Sequence, residues 1–118
     1  LFLITFSVFA VVHTIATKLF LYWHFWWFDL PMHAFGGVMI SLGLFTLRDI
    51  HLFPNSLLKP FPVLFISLLV ALLWEGFEWF IGVPLLSDYM LDAGIDITLG
   101  LCGGYIGYLV GNSLRNLR

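Results

Sequence analysis

The chain has 118 residues, of which 61% are hydrophobic, 19% aromatic and only 10% charged, with a formal net charge of −2. Soluble domains carry about a quarter charged residues, so this composition, with a mean hydropathy of +1.01, excludes an ordinary water-soluble fold. Five basic residues are also too few for the basic surface that nucleic acid requires.

A membrane-spanning helix consumes roughly 20 residues, so four spans with short connections fill the chain as a single transmembrane domain. The first expected span covers residues 2–22 and ends in the aromatic cluster Tyr22, Trp23, Phe25, Trp26, Trp27 and Phe28, the kind of cluster that membrane–water interfaces attract. It has no basic leader or small-residue cleavage site and reads as a retained span. The chain opens on Leu1 rather than Met, which points to residues upstream.

The second span covers residues 31–47. Asp29 precedes it in an N-cap-like place, and Pro31 suits a first turn, where its missing N–H costs nothing. Arg48, Asp49, His51, Pro54, Asn55 and Lys59 form a polar turn. The third span covers residues 60–83, followed by a turn at Pro84, Ser87 and Asp88. The fourth covers residues 90–111 and finishes in a polar tail from Asn112 to Arg118. The runs are too long for membrane strands and do not alternate. The expected fold is all-α: a polytopic membrane protein built as an antiparallel bundle of four transmembrane helices.

Arg48, Lys59, Arg115 and Arg118 fall on one side of this arrangement and Lys18 near the other. By the positive-inside rule both termini are cytoplasmic. The opposite, extracytoplasmic ends carry three pairs of ionisable residues one turn apart: Asp29 and His33, Glu75 and Glu78, Asp92 and Asp96. At about 1.5 Å per residue, Glu75 lies roughly 12 Å and Asp96 about 9 Å inside their span ends. His13 reaches a similar depth. Each pair continues a stripe of small residues: Asp92, Asp96, Gly100 and Gly104; Ser67, Ala71, Glu75 and Gly82; His33, Gly37 and Ser41. Small residues let membrane helices approach closely, so the carboxylates should point inward. The glycines themselves read as packing.

Five carboxylates close together need compensation by bound metal, by protons, or by a cationic group from substrate or protein. Carboxylate-plus-imidazole shells suit divalent ions, and helix bundles build di-metal sites from inward-facing pairs, although the familiar Glu-x-x-His repeat is absent here. Simpler roles exist: Asp29 as a cap, Glu78 at headgroup water, Asp92 as a first-turn acid, His13 as an interhelical donor. Glu75 and Asp96 are the hardest to dismiss, because ionisable groups deep in a membrane are expensive. Cys102, the one cysteine, can form no intrachain disulfide. There is no Ser–His–Asp signature or phosphate-binding loop.

The runs WWFDLPMHAFGG, WEGFEW and DYMLDAGIDITLGLCGGYIGYLVG resemble small bacterial and archaeal membrane proteins of the VanZ-like and YjdF-like groups. Those groups share an Asp-x-x-x-His opening a helix, an acidic pair ending the next, and an Asp-rich motif running into a glycine-rich final helix. The resemblance covers about two thirds of the chain. It implies a prokaryotic cell-membrane protein acting at the envelope, and singles out Asp29, His33, Glu75, Glu78, Asp92 and Asp96. Unlike the VanZ-like pattern, this chain has Glu where an amide commonly follows the acidic position, and it lacks the arginine before the Asp-rich motif.

Three functions stay open on the sequence. The first is a membrane metalloprotein acting on a lipid or lipid-linked substrate, with Glu75, Asp96 and His33 as ligands or acid/base groups and Asp29, Glu78 and Asp92 flanking them. The second is an accessory subunit whose acids pair with a membrane protein partner. The third is proton or cation transport.

Overall fold

A computed structural model describes residues 1–82 and 88–117. The turn expected at Pro84 and Ser87, the end of the third expected span at Val83, and the basic residue Arg118 lie outside the described residues. Among the described residues five α-helices follow one another: α1 Phe2–Lys18, α2 Leu21–His24, α3 Asp29–Asp49, α4 Pro60–Ile81 and α5 Tyr89–Asn116, with a 3-10 turn at Asn55–Leu57. No strand occurs among the described residues.

The chain is therefore all-helical, and α3, α4 and α5 are each long and apolar enough to cross a membrane. The expected first span differs. Its helix stops at Lys18, giving an apolar helix of 17 residues, a rise of about 26 Å. Phe20 then adopts a left-handed backbone with φ 55°, which no continuing helix tolerates, and the chain turns into the four-residue α2. The other boundaries shift modestly. Asp29 is the first residue inside α3 rather than its cap. Asp88 caps α5, its carboxylate accepting from the Leu91 amide at 3.2 Å. The helix α5 also runs through the expected polar tail as far as Asn116. Gly82 ends α4 in the left-handed conformation, φ 72°, which glycine adopts without penalty.

Helices adjacent in sequence pack antiparallel, but the most extensive contact joins α3 to α5, which run parallel. Their backbones touch. A Cβ at Gly37 would meet the Gly100 carbonyl oxygen and stand 2.7 Å from the Gly104 nitrogen, and one at Gly103 would meet the Ala34 carbonyl. Residues 63 positions apart form rungs along this seam: Ser41 Oγ donates to the Gly104 carbonyl at 2.6 Å, and the Phe45 and Tyr108 rings stand 6.0 Å apart. The α4 helix fits alongside, Ser67 packing on Gly104. Phenylalanines hold α1 to α3, Phe9 against Phe35 and Phe2 against Gly43.

The hydrophobic core gathers Leu44, Phe45, Leu58, Val63 and Tyr108 at the end of the bundle far from the acidic pairs. Much of the remaining apolar surface faces outward: Phe80 is 82% exposed and Phe61 79%. Exposure on this scale marks a surface meant for partners or lipid.

Candidate functional site

The site begins with the first two turns of α3. Asp29 and His33 are four residues apart, so their side chains share one face, and His33 Nε2 lies 3.3 Å from Asp29 Oδ2. The parallel α3–α5 seam then sets what stands opposite. Because glycines bring the two backbones into contact, the stripe that carries Gly100 and Gly104 delivers Asp96 one turn higher. Its Oδ2 lies 3.7 Å from the same His33 nitrogen. His33 is thus held between carboxylates from two helices.

The third contribution comes from the last turns of α4. Glu75, Glu78 and His33 present ligand atoms all within 4.8 Å of one another, as do Asp29, His33 and Asp96. Burial grades across the cluster. Asp96 is 2% exposed and Glu75 6%, whereas the Asp29 side chain, at 37%, forms the rim. Asp96 Oδ1 is sealed from solvent and has no hydrogen-bond partner, the only buried side-chain oxygen or nitrogen in that state among the described residues. A buried carboxylate oxygen left bare costs on the order of 1–3 kcal/mol or more, and it belongs to the same carboxylate whose other oxygen, Oδ2, faces His33.

Five of the six residues expected from sequence are thus brought together. Asp92 belongs to neither group of potential ligands; it lies in the first turn of α5, half-buried. His13 is likewise not part of the cluster: its Nδ1 and the Tyr22 hydroxyl share a hydrogen bond of 2.7 Å. Sequence reasoning treated Tyr22 only as an interface aromatic. It also missed Tyr89, whose hydroxyl donates to the Glu75 carbonyl at 3.3 Å and ties α5 to the end of α4. No local pattern marks either contact, since both depend on where a helix stops and how its neighbour is placed.

The donor set fits a divalent ion. Ligands of one ion at bond lengths of about 2.0–2.2 Å stand roughly 3.3–3.6 Å apart in tetrahedral geometry, close to the two distances at His33. Carboxylate oxygens with one imidazole suit zinc, manganese or iron, and a larger share of carboxylate favours the harder ions. No family model, curated protein or solved structure matches the chain, so the chemistry of this cluster is the ground on which its function has to be read.

Proposed function

We propose that the protein is an integral membrane metalloprotein of a prokaryotic cell membrane, in which the Asp/Glu/His cluster binds a divalent metal ion and acts on a lipid or lipid-linked envelope substrate. In this reading α1 serves as a fourth, shorter span of the bundle. Both termini are cytoplasmic and the cluster opens on the extracytoplasmic side, following the basic bias at Arg48, Lys59, Arg115 and Arg118. The resemblance to VanZ-like and YjdF-like proteins points the same way.

The observation that carries the reading is the Asp96 carboxylate: its Oδ1 is buried and bare, while its Oδ2 faces His33. A metal ion would supply the partner that the described residues do not. Asp29, His33, Glu75, Glu78 and Asp96 are the residues that would hold it or its ligands, with Asp92 flanking. A bound ion would polarise a phosphoryl or carbonyl oxygen and activate water. The residues themselves do the rest: His33 orients between Asp29 and Asp96, and the carboxylates of α4 close the opposite wall. A substrate head would enter over the exposed rim at Asp29.

Transport is less well supported. The far half of the bundle is filled by the apolar core of Leu44, Phe45, Leu58, Val63 and Tyr108, and the hydroxyls of Ser41 and Ser67 are both spent on backbone carbonyls. A polar path across the membrane has nothing to follow there.

Elemental analysis of the purified chain in detergent, beside the double variant Glu75→Ala, Asp96→Ala, tests the proposal. Near-stoichiometric metal in the wild type and none in the variant is the expected result. Metal-free protein after reconstitution with zinc, manganese or iron overturns it and leaves protonated carboxylates or a cationic partner to balance the cluster.

A further inference from the structure

The two ligand groups share His33, and a neutral imidazole has one lone-pair nitrogen to give, because its other nitrogen carries the proton. Both groups cannot therefore be filled at once through His33. The geometry also separates them. His33 Nε2 faces Asp29 Oδ2 at 3.3 Å and Asp96 Oδ2 at 3.7 Å, so one nitrogen and two oxygens converge on a common point. The bare buried oxygen is Oδ1, the second oxygen of the same Asp96 carboxylate. Neither Glu75 nor Glu78 has an oxygen that is both sealed and unpartnered, although Glu75 as a residue is nearly as buried as Asp96.

We infer that the site takes a single divalent ion, held by Asp29, His33 and Asp96, and that Glu75 and Glu78 stay off the metal as an acceptor pair facing the substrate. This division rests on the metal-binding reading above. Charge is consistent with it: two carboxylates and a neutral imidazole balance one divalent ion, and Glu75 and Glu78 are left to be balanced by protons or by donors of the substrate, since an uncompensated buried charge is expensive. The α4 pair then offers carboxylate oxygens beside the ion. Their natural partners are the hydroxyl or ammonium donors of a polar lipid head.

Cobalt titration of the full chain in detergent, followed by visible absorption, tests the inference. The wild type should saturate at one Co2+ per chain. Asp96→Asn, Asp29→Asn and His33→Ala should each weaken binding by about a hundredfold or more, whereas Glu75→Gln and Glu78→Gln should stay within about threefold and keep the absorption spectrum. Two Co2+ per chain, or losses in Glu75→Gln and Glu78→Gln that match those in Asp29→Asn, would overturn the division while leaving the metal reading intact. No Co2+ in the wild type would instead overturn the metal reading itself. Glu75→Asp, tested beside Glu75→Gln, keeps the experiment decisive if the amide variant fails to fold.

Discussion

His33 on α3 and Asp96 on α5 are 63 positions apart in the chain, the same separation as Ser41 and Gly104, and only 3.7 Å apart in space. The contact depends on two helix backbones touching at glycines. Whatever separates α3 from α5 should therefore disrupt the site, even at a distance from it.

Gly103 is the sharpest place to test that dependence. Its missing Cβ leaves room for the Ala34 carbonyl, a backbone group that cannot move aside as a flexible side chain can. Gly103→Val should lower stability by about 2–3 kcal/mol and abolish metal retention with it. By contrast, a Cβ at Gly94 meets nothing within 4 Å, so Gly94→Ala should hold stability level or raise it by about 0.5–1 kcal/mol. Unfolding by a denaturing detergent, followed by tryptophan fluorescence, measures both; equal effects would show that the glycine seam does not set the packing.

Ser41 supplies a milder probe of the same seam. Its buried hydroxyl donates to the Gly104 carbonyl, which as a helical carbonyl keeps its own backbone partner. Ser41→Ala should cost about 0.5–1 kcal/mol with metal content unchanged. A loss above about 3 kcal/mol in the same unfolding assay would mean that the hydroxyl orders more than one contact.

Asp92 and Asp96 separate ligand from neighbour. Both lie on α5 one turn apart, but only Asp96 faces His33. Asp96→Asn should empty the site, whereas Asp92→Asn should weaken binding by about tenfold at most, the lower range for groups that merely surround a metal. Metal content after dialysis distinguishes them; equal loss would place Asp92 among the ligands.

Chelation should destabilise the folded chain without unfolding it outright. A ligand that binds only the folded state contributes about 2.7 kcal/mol at a hundredfold excess over its dissociation constant. Removing metal with a chelator should therefore lower the Tm of the wild type and leave Asp96→Asn unmoved. An equal fall in both would assign the effect to the chelator rather than to the site.

Orientation can be read by thiol labelling in whole cells, in a Cys102→Ala background. His24→Cys, near the mouth of the cluster, should react with a membrane-impermeant maleimide from outside. Leu52→Cys, exposed beyond the far end of α3, should react only after permeabilisation. The reverse pattern would invert the topology and put the cluster on the cytoplasmic side.

Local features were legible in the amino-acid sequence by itself. Apolar run length marks helices, so residues 31–47, 60–83 and 90–111 anticipate α3, α4 and α5 to within a few positions, and spacings of three and four place each acidic pair on one helical face. The end of α1 was not legible: nothing between Lys18 and Tyr22 breaks the apolar run, yet the backbone turns left-handed at Phe20 and Tyr22 folds back to a hydrogen bond with His13. Only the tertiary structure decided which ionisable groups meet. Depth along a helix follows from counting residues, but rotation and register between helices follow from packing. The contact of Gly37, Gly100, Gly103 and Gly104 with the facing backbone turns Asp96 toward His33 and leaves Asp92 a turn above. Shape complementarity between two distant segments is not written in either one alone.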